Sequence, residues 1–173
     1  ELDVIADEAF FDALKSDGNV RYVVSEERPG LNKISDGRYS VALDPLDGSK
    51  SALVGIPSGA IFGIFENAEV ARDFNGKNIV SGGFFVFGMN LEAYFADGDR
   101  VYKGIFNQDT SEWKVLPIEG GLPTADVLAI NGQNQMVWDG WLQAHYTDLL
   151  STHNGTAKPH NMRWYASMVS DMK

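Results

Sequence analysis

The sequence of 173 residues contains no cysteine. This absence excludes disulfide bonds, metal sites built from thiolates and a cysteine nucleophile. It is also typical of a reducing compartment, so we expect a cytoplasmic protein, with a plastid as the alternative. Positive charge is scarce too, because 14 Lys and Arg residues stand against 24 Asp and Glu, giving a net charge of −10. Binding of nucleic acid or of an anionic membrane through a basic surface is therefore not expected.

Long hydrophobic runs are a second absence, since none reaches the roughly 20 residues of a membrane-spanning helix. The chain also has no charged-then-apolar leader at its start, so neither a membrane span nor a leader is expected in this stretch. It begins at Glu1 without an initiator methionine and stops at Lys173 within a helical pattern. We therefore expect an internal fragment of a longer protein. An acidic protein that acts on an anionic substrate needs local positive charge or a metal ion.

The spacing of hydrophobic residues predicts a mixed α/β (α+β) protein with layered helices and a largely antiparallel sheet. The predicted helices cover residues 2–14 and 139–150, and the segment 162–173 also has a helical pattern. The predicted strands are 20–25, 38–43, 60–65, 79–87, 91–96, 100–106, 112–117 and 127–130. Residues 26–37, 67–78 and 151–161 are predicted as loops. The segment 119–126, rich in glycine, predicts a linker between domains 1–120 and 121–173.

Two carboxylates follow the apolar strand 38–43, in the run Asp44-Pro45-Leu46-Asp47-Gly48-Ser49. Turn chemistry alone explains the shape of this run, because proline fixes φ and glycine supplies a positive φ. It does not explain why two negative charges stand at the end of a buried strand. A second acidic feature is needed to choose between a plain turn and a functional site.

That second feature is the adjacent pair Glu26 and Glu27, which follows strand 20–25. Alone, the pair is typical of a solvated acidic loop. If strands 20–25 and 38–43 are parallel neighbours in one sheet, however, all four carboxylates meet at one edge. Such a cluster repels itself unless protons or a cation neutralise it. Oxygen ligands without His or Cys indicate Mg²⁺ or Mn²⁺.

With these motifs, the chain resembles the metal-dependent sugar phosphatases, the superfamily of fructose-1,6-bisphosphatase and inositol monophosphatase. It is most similar to class I fructose-1,6-bisphosphatase. The resemblance is carried by the stretches ELDVIADE, SEE, YSVALDPLDGS, AIFGIF and MRWYASMVSDM. These stretches run from Leu2 to Met172 and imply the sugar-phosphatase fold, of which this chain is an internal part.

The resemblance implies roles for the acidic residues and the turn. The implied metal ligands, for two or more ions at each site, are Glu26, Asp44, Asp47 and the main-chain carbonyl of Leu46. Asp3 and Glu27 would orient or deprotonate the attacking water. The backbone amides of Gly48 and Ser49 would hold the phosphate, and successive N–H groups after a turn are suited to binding an anion. Lys50 stands where the family has a second serine and adds a positive charge there.

The same resemblance implies contacts to the sugar and its second phosphate. Asn131 would bind the distal phosphate, and Arg163 would reach into the site of a neighbouring subunit, which implies a homo-oligomer, a dimer or a tetramer. Ser167 and Met168 would meet the sugar through their backbone. Asn134 and Trp164 replace two tyrosines of the family, and an indole N–H can still donate a hydrogen bond. The family's further metal-ligating glutamate and its regulatory N-terminal helices have no counterpart in these residues.

The expected function is metal-dependent hydrolysis of a sugar bisphosphate, with fructose 1,6-bisphosphate as the first choice and fructose 6-phosphate as the product. Sedoheptulose 1,7-bisphosphate and a sugar or inositol monophosphate remain alternative substrates because of the residues at positions 134 and 164. A regulatory or scaffold protein that retains the fold without turnover is the alternative outside enzymes.

Overall fold

The computed structural model describes residues 2–120, 127–151 and 160–172 of the chain. Its helices are α1 (Leu2–Asp17), α2 (Ser49–Ala52), α3 (Gly140–Ser151) and α4 (Met168–Met172), with short 3-10 helices at Ala71–Asp73 and Gly132–Val137. The strands are β1 (Val20–Ser25), β2 (Arg28–Lys33), β3 (Tyr39–Asp47), β4 (Ser58–Glu66), β5 (Ile79–Phe87), β6 (Leu91–Asp97), β7 (Arg100–Asn107), β8 (Glu112–Ile118), β9 (Val127–Leu128) and β10 (Asn161–Met162).

Eight strands form one sheet in the order β2-β1-β3-β4-β5-β6-β7-β8. Every neighbouring pair in it is antiparallel except β1 and β3, which run parallel. The expected mixed α/β architecture with a largely antiparallel sheet is therefore confirmed. From β3 to β8 each strand pairs with the next one along the chain, so this part of the sheet is a meander.

Helix α1 packs on the sheet at β1 and β3 and forms the core with them. The buried centre consists of Val20, Val23, Val41 and Leu43, and Phe10, Phe11 and Leu14 of the helix pack against it. Burying each such side chain stabilises the fold by roughly 1.5–3 kcal/mol relative to exposure. The helix ends before Gly18, whose φ of +76° gives the left-handed backbone that favours glycine at this position. This packing fixes the start of α1 beside the ends of β1 and β3.

The prediction of an irregular loop over residues 26–37 is wrong for its central part. Strand β2 pairs antiparallel with β1, and Ser25 stands opposite Arg28. Proline and glycine in the sequence Arg28-Pro29-Gly30 argued against a strand, but β2 lies at the edge of the sheet. At an edge, proline does not interrupt hydrogen bonding between two neighbouring strands. Glu26 and Glu27 are thus the tip of a tight hairpin.

Strand β3 is longer than the predicted 38–43, because it continues to Asp47. Its pairing with β4 is irregular between Asp44 and Asp47, where Pro45 has no N–H to donate to the ladder. The acidic run is therefore a bulged strand end, and the turn follows it at Gly48, where φ is +78°. The positive φ predicted for Gly48 is confirmed.

Strands β5 to β8 agree with the prediction to within one residue at their ends. The C-terminal segment differs, since only Met168–Met172 is helical and Asn161–Met162 pairs parallel with β9 instead. Most of the predicted linker 119–126 and of the loop 151–161 lies outside the described residues. Among the described helices, none combines the length and the hydrophobicity that crossing a lipid bilayer requires.

Candidate functional site

The parallel pairing of β1 with β3 brings the two acidic strand ends to one edge of the sheet. Ser25, the last residue of β1, is level with Leu43 of β3. One residue further on, the N–H of Glu26 donates to the carbonyl oxygen of Leu43 at 3.1 Å. The parallel arrangement on which the predicted convergence depended is confirmed. Glu26 and Glu27 are exposed at the hairpin tip, next to Asp44.

Asp44 is the most perturbed carboxylate of this edge. Burial raises its pKa from 3.8 to about 6, and a hydrogen bond from the N–H of Leu46 to Oδ1, at 3.0 Å, opposes part of this rise. The negative charges of Glu26, Asp47 and Glu27 raise the pKa further. The four carboxylates therefore interact electrostatically, and the cost of ionising Asp44 is what a bound cation would relieve.

The raised pKa of Asp44 predicts how the stability of the metal-free protein depends on pH. The folded protein holds the proton of Asp44 more tightly than the unfolded chain, because its pKa is about 6 instead of 3.8. Its contribution to stability is fully present below about pH 4, falls as the pH rises, and is lost above about pH 6. We expect the free energy of unfolding, measured by urea titration in chelator, to show this decline in wild type and not in Asp44→Asn.

The difference between wild type and Asp44→Asn reports the titration of Asp44 together with its coupling to the neighbouring carboxylates. Asp109→Asn, in the exposed turn between β7 and β8, is the matched control and should keep the slope of wild type between pH 4 and 6. Equal slopes for wild type and Asp44→Asn would contradict the expected titration of Asp44.

Asp47 connects the acidic edge to the C-terminal segment. Its Oδ2 accepts hydrogen bonds from Ser167 Oγ and from the N–H of Val169, both at 3.0 Å. Ser167 and Val169 are buried, with 1% and 0% of their surface exposed. The carboxylate of Asp47 is therefore held in place by residues about 120 positions later in the chain.

The turn at Gly48 packs directly on the same segment. A Cβ at position 48 would lie 2.5 Å from the Cβ of Ser167, so this close approach excludes any side chain there. Behind the turn, the buried Ser51 of α2 donates to the carbonyl oxygens of Tyr165 and Ala166, at 3.1 and 3.3 Å. Residues 47–51 and 165–169 are thus packed and hydrogen-bonded to each other. Ser49 is partly buried at the start of α2, and Lys50 is exposed beside it.

A cavity of about 460 Å³ opens next to Asp47. It brings together four residues that the sequence assigned to the site, namely Asp47, Trp164, Ser167 and Met168. Trp164 and Met168 are about half exposed, at 46% and 51%, which suits side chains that meet a ligand.

Asn131 and Arg163 stand apart from this lining within the part of the chain that the structure describes. The side-chain oxygen of Asn131 accepts the N–H of Gln133 at 3.1 Å and caps a 3-10 helix, which leaves its amide N–H₂ as a donor. Arg163 is exposed, and its main-chain N–H donates to Leu128 at 3.0 Å.

The acidic residues suit a hard divalent cation by their chemistry. Carboxylate and carbonyl oxygens are available from Glu26, Asp44, Leu46 and Asp47. Burial, and after it the negative charges of the neighbouring carboxylates, raises the pKa of Asp44. Asp3, in the first turn of α1, has a buried Oδ1 that accepts no hydrogen bond from the described residues. Across residues 2–120, 127–151 and 160–172, no three acidic or histidine side chains are already gathered as closely as a metal ion requires.

Sequence reasoning missed residues that hold the backbone of the site in place. Asp171 lines the cavity, and its Oδ1 accepts the N–H of Tyr165 at 3.0 Å, which fixes the backbone next to Trp164. Ser51 acts similarly from α2. Neither residue stands out in the sequence, because a single serine or aspartate near a helix is ordinary. Asp7 does carry a signal in the sequence, because it lies four residues after Asp3 and hence on the same face of α1.

A comparison with models of known families shows which family the chain belongs to. Residues 1–116 match the family model described as fructose-1-6-bisphosphatase, N-terminal domain. The chain belongs to the fructose-1,6-bisphosphatase family. The resemblance carried by the short motifs is thereby confirmed, and the match covers α1, the acidic hairpin, the bulged end of β3 and the sheet through most of β8.

Relatives in this family align with nearly the whole chain. The class 1 fructose-1,6-bisphosphatase of Shewanella oneidensis is 32% identical over 180 residues, which cover 99% of this chain and 55% of that protein. The Rhodobacter capsulatus protein of the same name is 33% identical over 177 residues. The crystal structure of Leishmania major fructose-1,6-bisphosphatase in holo form superposes with a TM-score of 0.86 and 25% identity, over 99% of this chain and 58% of that one. The chain spans about half the length of these relatives.

Proposed function

We propose that the protein hydrolyses a phosphate ester of a sugar bisphosphate, and that fructose 1,6-bisphosphate is converted to fructose 6-phosphate and orthophosphate. The observation that carries this proposal is the meeting of two acidic strand ends beside a cavity, in a chain of the fructose-1,6-bisphosphatase family. In the proposed reaction, water attacks phosphorus, the bond between phosphorus and the sugar oxygen breaks, and that oxygen takes up a proton.

The side chains at the acidic edge supply the proton chemistry. Glu27, exposed at the hairpin tip, accepts a proton from the attacking water, and Asp3 at the start of α1 orients that water. The N–H groups of Gly48 and Ser49 donate to the phosphate, since successive N–H groups at a turn with a left-handed residue are suited to binding an anion. Lys50 adds a positive charge beside them.

Mg²⁺ or Mn²⁺ would be held by Glu26, Asp44, Asp47 and the carbonyl oxygen of Leu46. When bound, such ions lower the pKa of water and neutralise negative charge on a transferring phosphoryl group. The net charge of −10 would by itself repel a bisphosphate. Cations held at the acidic edge would offset this repulsion, which supports the proposal. Two or more ions are proposed for each site, in keeping with the four carboxylates.

The sugar and its second phosphate are proposed to bind in and around the cavity beside Asp47. Trp164 and the backbone at Ser167 and Met168 face the sugar, while Asn131 and Arg163 reach the distal phosphate. Residues 1–120 then form the domain for metal and phosphate, and 121–173 begin the sugar-binding domain. We further propose a homo-oligomer, a dimer or a tetramer, in which Arg163 serves a neighbouring subunit, and a location in the cytoplasm or a plastid.

Measuring phosphate release from a panel of sugar phosphates, with Mg²⁺ and with chelator, tests the proposal. Fructose 1,6-bisphosphate should give the highest kcat/KM, and chelator should abolish release. A preference for sedoheptulose 1,7-bisphosphate or for a monophosphate would reassign the substrate within the same chemistry. A protein that releases no phosphate from any member of the panel would be a regulatory or scaffold protein.

Arg163→Ala is expected to raise the KM for fructose 1,6-bisphosphate by about 10-fold or more with kcat nearly unchanged. An arginine–phosphate contact is bidentate and charge-assisted and contributes about 1.5–3 kcal/mol of binding. The loss falls on KM because the distal phosphate is bound equally before and during the reaction. Steady-state kinetics on the bisphosphate and on a monophosphate that lacks the distal group measures the effect.

The monophosphate should be indifferent to Arg163→Ala, and Arg100→Ala on the exposed start of β7 is the matched control with unchanged KM for both substrates. Trp164→Tyr should keep or lower the KM for the bisphosphate, since it supplies a phenolic oxygen. A preference of the wild type for the monophosphate, with Arg163→Ala silent, would rule out recognition of a second phosphate.

A further inference from the structure

Asp7 is a buried carboxylate that the proposed chemistry does not use. It lies in the second turn of α1, and only 3% of its surface is exposed. Buried carboxylates are costly unless charged or polar partners surround them. The partners of Asp7 are therefore informative about what it does.

Each carboxylate oxygen of Asp7 holds one end of the acidic hairpin. Oδ1 accepts a hydrogen bond from Ser25 Oγ at 2.5 Å, and Oδ2 accepts one from Arg28 Nε. Ser25 and Arg28 stand opposite each other, so that they close the turn whose tip is Glu26 and Glu27. The side chain of Asp7 thus binds both Ser25 and Arg28, the two residues that flank Glu26 and Glu27.

Two further contacts attach the hairpin more firmly to Asp7 and α1. The N–H of Glu27 donates to the same Ser25 Oγ at 3.3 Å, while that hydroxyl donates its own proton to Asp7. On the other side, the guanidinium of Arg28 lies 4.0 Å above the centre of the Phe11 ring, which holds Arg28 against α1. The hairpin is therefore fixed to the helix and cannot pivot freely on the end of β1.

We infer that Asp7 is a positioning residue, which sets the backbone of Glu26 and Glu27 through Ser25 and Arg28. The inference rests on the proposed function, since it assigns Asp7 to the residues that hold the metal and accept the proton. Two adjacent exposed carboxylates repel each other, and the neighbouring Asp44 and Asp47 repel them as well. A turn that is held rigidly keeps these groups in place for a cation despite that repulsion.

The test compares metal affinity with stability. The dissociation constant for Mn²⁺ is measured in the complete protein from the electron paramagnetic resonance signal of free Mn²⁺, and the free energy of unfolding is measured on the same samples. In Asp7→Asn the negative charge is lost and only one acceptor oxygen remains, so Ser25 Oγ and Arg28 Nε can no longer both donate to this side chain, while its size is kept. We expect the dissociation constant to rise about 10-fold or more, the range found for residues that orient metal ligands.

Two further variants separate positioning from general destabilisation. Glu8→Gln changes the exposed neighbour on α1 and should leave Mn²⁺ affinity within about twofold of wild type, because Glu8 is exposed and the hydrogen bonds that hold the hairpin come from Asp7. In Asp7→Asn with Arg28→Gln, a glutamine amide takes the place of Arg28 Nε, because both follow Cδ. This pair restores a hydrogen bond without charge and should recover most of the lost affinity.

Mn²⁺ affinity of Asp7→Asn within about twofold of wild type, with stability alone reduced, would show a purely structural ion pair and overturn the inference. A wild-type protein that neither binds Mn²⁺ nor releases phosphate would overturn the proposed function, and this inference with it. If Asp7→Asn does not fold, Ser25→Ala decides in the same way, because it removes the hydroxyl that links Asp7 to Glu27. Ser25→Thr, which keeps a hydroxyl, should then bind Mn²⁺ as the wild type does.

Discussion

Asp44→Asn is expected to lower kcat for phosphate release from fructose 1,6-bisphosphate by ~10³-fold or more, because one ligand of the proposed metal site is lost. The fold should survive, since asparagine keeps the side-chain oxygen that accepts the N–H of Leu46. The variant also lacks the carboxylate of Asp44, whose pKa burial raises to about 6 in the wild type. Steady-state kinetics in saturating Mg²⁺, together with circular dichroism, measures both effects.

The matched control for this loss is Asp109→Asn, which removes one exposed negative charge far along the chain and should retain full activity. If the wild-type protein kept its full rate in excess chelator, the proposed reaction would not depend on a metal ion. A variant Asp44→Asn that stays active in Mg²⁺ would leave the metal requirement standing but place its ligands elsewhere.

Glu27→Gln is expected to reduce kcat by roughly 10²- to 10⁴-fold while Mg²⁺ affinity changes little, because Glu27 is proposed to accept a proton without binding the metal directly. The substitution keeps the size of the side chain and the main-chain hydrogen bond from Glu27 to Ser25 Oγ. The measurement is kcat as a function of Mg²⁺ concentration, which separates the catalytic rate from the affinity for the ion.

Glu112→Gln on the exposed strand β8 is the control and should match the wild type in both quantities. A large fall in Mg²⁺ affinity with a modest change in kcat would instead make Glu27 a metal ligand. Glu26→Gln offers the reciprocal comparison, since its main loss should be in affinity.

The sheet was predictable from the sequence because most of its strands are apolar runs separated by clear turns. Asp97-Gly98, for example, marks the hairpin between β6 and β7. Strand β2 was not predictable, because Pro29 and Gly30 disfavour a strand everywhere except at a sheet edge, and edge position is a property of the whole fold. The start of the final segment 162–173 was misjudged as helical for a related reason, whereas Met168–Met172 is helical. Pairing of β10 with β9 is a long-range contact that local spacing cannot show.

The meeting of the acidic residues at one edge of the sheet was predictable, because both groups stand at strand ends. The acidic pairs at 26–27 and 44–47 required only that β1 and β3 be parallel neighbours. The hydrogen bonds from Ser167 and Val169 to Asp47 were beyond reach, because a spacing of about 120 residues leaves no local pattern. The roles of the individual site residues rest on family resemblance and stay predictions, those of Asn131 and Arg163 among them.

The contacts between Asp47 and the segment 167–169 also bear on the order of folding. Strands β3 to β8 each pair with the next strand along the chain, so that part of the sheet forms by closing short loops. Joining Asp47 to Val169 instead closes a loop of 122 residues, and the entropy cost of closure grows with loop length. Contacts of this separation form late, so the scaffold is built before the cavity beside Asp47 is closed. During synthesis, the whole eight-stranded sheet is translated before Ser167 and Val169, the partners of Asp47.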